Sequence, residues 1–133
     1  MTSEGNSKAM LWTGRVLWAI FVLFMIMDVT MKLLMQPMVE TAGATLGLPK
    51  GSGLPIGIME LAILALYVWP RTAVLGVVLV TALMGGTAAT HLIAGNPWGD
   101  HILFGVYLAL IAWGGLWFRD PSLRALLPLR RTA

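Results

Sequence analysis

Four long apolar stretches, separated by short polar or Gly/Pro-rich punctuation, set the pattern of this chain. The first runs from about Leu11 to Leu34; at the rise of an α-helix it covers roughly 35 Å, enough to cross a hydrocarbon core of about 30 Å. Gln36-Pro37 ends it. Residues 38–54 (MVETAGATLGLPKGSGL) form a connection whose second half is rich in Gly, Pro and Ser, and its first half, Met38 to Leu48, is expected to hold a short interfacial helix. The second stretch is Pro55 to Trp69, with Pro55 suited to a helix N-terminus. Pro70-Arg71 turns tightly into the third, Thr72 to about Ala94. Gly95-Asn96-Pro97-Trp98-Gly99 is a turn signal, and the fourth stretch runs from about Asp100 to Phe118. After Asp120-Pro121 comes SLRALLPLRR, a short amphipathic basic segment expected to rest on a membrane surface. The pattern predicts an all-α integral membrane four-helix bundle, with residues 1–133 as one domain of four spans (about 11–34, 55–69, 72–94 and 100–118).

Composition supports lipid as the solvent. Of 133 residues, 58% are hydrophobic and only 11% charged, and mean hydropathy is +0.82. A soluble domain this small needs a polar coat that these residues cannot supply. The apolar run near the N-terminus is too long for a signal peptide and carries Asp28 and Lys32, so it is read as a true span after the short polar segment Met1 to Ala9. The net charge of +3 does not indicate nucleic acid, because the basic residues sit at segment ends. Four spans place both termini on one side, with Lys8, Arg15, Arg71, Arg119, Arg124, Arg130 and Arg131 there and only Lys32 and Lys50 opposite. The positive-inside rule then makes the termini cytoplasmic. Trp12, Trp69, Trp113 and Trp117 fall at the inner interface and Trp98 at the outer. The chain has no cysteine, which excludes disulfides, thiolate catalysis and Cys-ligated metals. Gly57, Gly76, Gly85, Gly86, Ala88, Ala89, Gly105, Gly114 and Gly115 lie within spans and are expected to serve close helix packing, with glycine-lined faces that also suit a second copy or a membrane partner.

Alternating span directions bring Asp28, Lys32, Glu60, His91, Asp100 and His101 to one half of the bilayer. Ionisable groups at membrane depth are costly, face the bundle interior and mark functional sites. Asp28 and Lys32 are spaced i,i+4 and share a helix face, so they pair. Glu60 has no cation close in sequence and must find Lys32, His91 or His101 across helices, or stay protonated. His91 and His101 flank one hairpin at similar depth, so their rings can approach. Two histidines alone do not specify a metal geometry, and no HxxxH or HExxH spacing occurs; no metal site is expected, and hydrogen bonding or proton transfer is preferred for both. Thr87, Thr90 and Tyr107 are expected to line the same cavity, and Asp100 to cap the fourth helix. The methionines of the first span are read as core filling rather than copper ligands.

The stretches FMIMDVTMKLL (24–34), GIMELAILALYVWPRTAVLG (57–76) and GGTAATHLIAGNPWGDHILFGVYLALIAWGGLWFRDPSLRALLPLR (85–130) resemble the DoxX-like family of small bacterial four-helix membrane proteins. Glu60-Leu61, Pro70-Arg71-Thr72-Ala73, Ala89-Thr90-His91 and the WGGLWFRDP block at 113–121 carry the resemblance together. It implies a bundle in the bacterial inner membrane. The family takes its name from a membrane subunit of a thiosulfate–quinone oxidoreductase, and its wider group includes membrane chaperones and cargo receptors.

Two functions are therefore expected as alternatives. In one, Glu60, His91 and His101, supported by Asp28, Lys32, Thr87, Thr90, Asp100 and Tyr107, bind a quinone-like or other amphipathic small molecule and relay protons. In the other, the chain is a non-enzymatic accessory or assembly factor whose polar cluster only locks the bundle.

Overall fold

A computed structural model of the protein describes residues 7–130; the polar start of the chain and Arg131 lie outside the described residues. All regular structure among these residues is helical: α1 (Lys8–Leu33), α2 (Pro37–Thr45), α3 (Gly53–Val68), α4 (Ala73–Ile93), a π-helical turn (Trp98–Ile102), α5 (Phe104–Trp117) and α6 (Pro121–Leu126).

The boundaries follow local chemistry. Ser7 Oγ accepts from the Met10 N–H at 3.1 Å and starts α1. Met35, with φ 55°, turns the chain out of α1, and Pro37 at the first turn of α2 restarts it, since its missing N–H costs nothing there. Gly47 and Gly95, both with φ 77°, end α2 and α4 in a conformation that glycine adopts without strain. Thr72 Oγ1 donates to Leu66 O at 2.8 Å, which ties the short turn between α3 and α4.

Helix α1 packs against α3 and α5, and α4 packs against the same two, so four helices close into a bundle. Phe21, Met25, Tyr67, Val77, Val80 and Ala112 fill its centre. Outside, Trp12, Val16, Ile20, Leu23 and Met27 form an exposed apolar stripe at helical spacing along α1, and Val74, Leu75 and Val78 continue the pattern on α4. Such a surface suits lipid, and three helical segments (Lys8–Leu33, Ala73–Ile93 and Trp98–Trp117) are long and apolar enough to cross a membrane. Helix α3, with 16 residues, measures about 24 Å; it is shorter than the hydrocarbon core.

One end of the bundle is packed tightly through glycines. A Cβ on Gly76 would strike the backbone of Tyr67, and one on Gly115 would lie 2.8 Å from Tyr67 Oη and 3.0 Å from the Trp18 backbone. Tyr67 Oη donates to Ala112 O at 2.7 Å, its ring stands 4.9 Å from that of Phe21, and Trp113 Nε1 donates to Thr81 Oγ1 at 2.7 Å. Gly85 and Gly86 behave differently from expectation. A Cβ at either would meet nothing within 4 Å, so they mark open space rather than a helix contact.

The C-terminal segment is also more embedded than a surface helix. Leu123 is buried in the bundle core while Leu126 and Leu129 remain exposed. Asp120 Oδ1 caps α6 by accepting from the Ser122 N–H at 2.9 Å and from the Ser122 hydroxyl. Partial desolvation opposes the charge of Asp120, but these hydrogen bonds, one from the Leu123 N–H and the nearby Arg124 outweigh it and hold the carboxyl below its usual range.

Candidate functional site

At the other end of the bundle, the last turn of α1 meets the first half of α3. Lys32 Nζ donates to Asp28 Oδ2 at 2.5 Å, to Glu60 Oε1 at 2.8 Å and to Glu60 Oε2 at 3.0 Å. Asp28 is one helical turn from Lys32 on the same face. Glu60 reaches it because Gly57, three residues earlier on α3, has no side chain: a Cβ there would lie 2.8 Å from Lys32 Cβ. Glu60 is 5% exposed and is the one buried charged residue among those described. The cation that this carboxylate requires is thus Lys32, not a histidine.

The histidines form a neighbouring pair. Asn96 Nδ2 lies 2.8 Å from His91 Nδ1; with the amide donating, the His91 proton sits on Nε2. His101 Nδ1 lies 2.8 Å from Asp100 Oδ1, and the two imidazole centroids are 5.6 Å apart in an edge-to-face arrangement. Asp100 does not cap the fourth span. The segment starts as a π-helical turn after Pro97, without a side-chain cap, and Asp100 lies inside its first turn, facing His101.

A cavity of about 780 Å³ opens between these groups. Its apolar wall includes Phe24, Met25, Met31, Met59, Met84 and Phe104; its polar wall holds Asp28, Lys32, Glu60, Thr87, Thr90 and His91, with Glu40 from α2. Both threonine hydroxyls are committed within α4, Thr87 to Leu83 O at 3.1 Å and Thr90 to Gly86 O at 2.8 Å. Gly86 lines the cavity as well, which explains why an added Cβ there meets nothing.

Three of the residues expected at the site stand off it. Tyr107 is 45% exposed on the outer face of α5, because Phe104 and Leu108 take the inward positions on that helix. Asp100 and His101 do not line the cavity, and His101 touches it only through His91. Two contributors were not singled out from sequence. Asn96 appeared only as part of a turn signal. Glu40, on α2, accepts from the Gly51 N–H at 2.9 Å and holds α2 across the cavity; Val39 seats the same helix against Gly53. Among the described residues, no group of three or more His, Asp and Glu side chains is placed to hold a metal ion.

A family model described as the DoxX-like family matches residues 16–115, from the first turns of α1 to near the end of α5. No curated protein and no solved structure matches the chain.

Proposed function

The chain belongs to the DoxX-like family, and from that premise we propose that it is a multi-pass protein of the bacterial inner membrane that holds an amphipathic small molecule in the cavity beneath α2. The observation that carries this reading is the joining of an apolar, methionine- and phenylalanine-lined space of about 780 Å³ to an ionisable wall drawn from α1, α2, α3 and α4. Ligand sites combine these two features, a largely apolar concavity with a few convergent polar groups. Glu60 and His91 handle protons at the ligand, and His101 communicates through the ring of His91. A quinone-like occupant would join the protein to an oxidoreductase, as the family's name suggests. The basic residues at the opposite end of the bundle support a reading with cytoplasmic termini and the cavity in the outer half of the bilayer.

A second reading has its own support. All three N–H groups of Lys32 are taken by carboxylate oxygens, so the cluster can hold α1 to α3 in an accessory protein without any ligand. Native mass spectrometry of protein extracted gently with its lipids separates the two. The ligand reading expects one small-molecule adduct per chain, lost in Glu60→Gln and His91→Ala variants that keep their helical content. An adduct-free wild type, whose variants lose only thermal stability, would establish the accessory reading instead.

A further inference from the structure

The cavity wall is unbalanced in charge and in hydrogen-bonding capacity. From α1 it receives Asp28 and Lys32, from α2 Glu40, from α3 Glu60 and from α4 His91. The π-helical turn adds Asp100 and His101 behind His91, outside the cavity, and Lys50 is exposed and does not line it. Two carboxyl groups, Asp28 and Glu60, therefore meet one ammonium, with the exposed Glu40 adding negative charge from the α2 side, although the chain as a whole carries a net charge of +3. An uncompensated carboxylate beside apolar walls is costly, so the excess is relieved by a proton or by a cation.

Donors are scarce in the same space. Lys32 spends its three N–H groups on Asp28 and Glu60, Thr87 and Thr90 donate to their own helix, and His91 Nδ1 faces the Asn96 amide. With that amide donating, only the His91 Nε2–H remains uncommitted among these groups. A quinone, which offers acceptors, finds few donors here; an ammonium, which offers donors, finds carboxylate oxygens. The rings of Phe24 and Phe104, 5.5 Å apart on the wall, suit an aryl or alkyl tail and attract a nearby cation.

Resting on the reading that the cavity holds a small molecule, we propose that its occupant is an amphipathic ammonium cation seated on the Asp28–Glu60 carboxyl pair. The Lys32 ammonium keeps the pair together with or without this cation, so occupancy changes without the bundle opening. The cation enters with its apolar tail towards the methionines and its N–H groups towards Asp28 and Glu60.

The test is equilibrium binding to the full chain in lipid nanodiscs, with empty discs subtracted. The probes are dodecylammonium and two neutral molecules of similar tail length, dodecanol and a decyl-substituted benzoquinone. Dodecylammonium is expected to bind at one per chain and at least about ten-fold more tightly than either neutral probe. Glu60→Gln should remove most of that affinity. In case Glu60→Gln fails to fold, Gly86→Leu fills the cavity without touching a charge and should abolish binding on its own. Neutral probes binding as well as the ammonium would overturn the cation proposal and leave the small-molecule site standing. No probe binding above empty discs would overturn both.

Discussion

The two ends of the bundle solve opposite problems with the same residue types. At the end containing Tyr67, Gly76 and Gly115, glycine removes a side chain so that backbones can touch, and aromatic hydrogen bonds fill what remains. At the end containing Lys32, Gly85 and Gly86 remove side chains and nothing moves in. Beside Gly86 the space is left to a cavity whose polar wall carries carboxylates. Glycine at membrane depth thus has two meanings, contact and vacancy, and the difference lies in what faces it. Charge divides along the same axis: Arg15, Arg119 and Arg124 stack on tryptophans at the packed end, while Asp28, Glu40 and Glu60 gather at the open one.

That comparison can be broken by substitution. Gly76→Ala sets a methyl against the Tyr67 backbone and should cost about 3 kcal/mol or more, seen as a large drop in the thermal midpoint in detergent; a midpoint close to wild type would show that the packed end has slack. Lys32→Met leaves Glu60 and Asp28 without their cation in a half-buried setting and should cost about 2 kcal/mol. The loss should shrink when Glu60→Gln is added, and simple additivity of the two would remove Lys32 from its bridging role. Gly85→Ala should do the reverse of Gly76→Ala, raising the midpoint through about 0.5–1 kcal/mol of helix propensity. The smallest effect concerns α6. The Asp120 carboxyl is held below its usual range by Ser122 and Leu123, so its contribution is complete above about pH 4 and fades as the pH falls through its folded-state value. The change in α6 docking, followed by Trp117 fluorescence, should amount to less than about 0.5 kcal/mol.

Much of the architecture was legible because lipid imposes few solutions on a helical chain. Apolar length, Pro/Gly punctuation and the i,i+4 spacing of Asp28 and Lys32 follow from local rules, and the need of Glu60 for a cation follows from burial cost. What local rules do not carry is rotation. The π-helical turn from Trp98 to Ile102 precedes α5, on which Phe104 and Leu108 face the cavity while Tyr107 faces out. The roles of Gly85 and Gly86 depend on the absence of a neighbour, which composition cannot express. A short helix over Met38 to Leu48 was expected and α2 occupies that connection, but the place of Glu40 over the cavity was hidden for a related reason: such a helix has no apolar stripe to reveal which surface it covers. The six ionisable residues expected together in one half of the bilayer resolve into two clusters, Lys32 with its two carboxylates and His91 with Asn96 and His101, joined where Glu60 and His91 line the same cavity.

An experimental structure of the protein purified with its native lipids tests the central claim most directly. The account predicts density for one bound molecule beneath α2, with its polar end within hydrogen-bond reach of Glu60 or Asp28 and its tail among Met25, Met59 and Phe104. A cavity closed by inward movement of α2, or filled only by ordinary lipid tails with no polar group near Glu60, would contradict it.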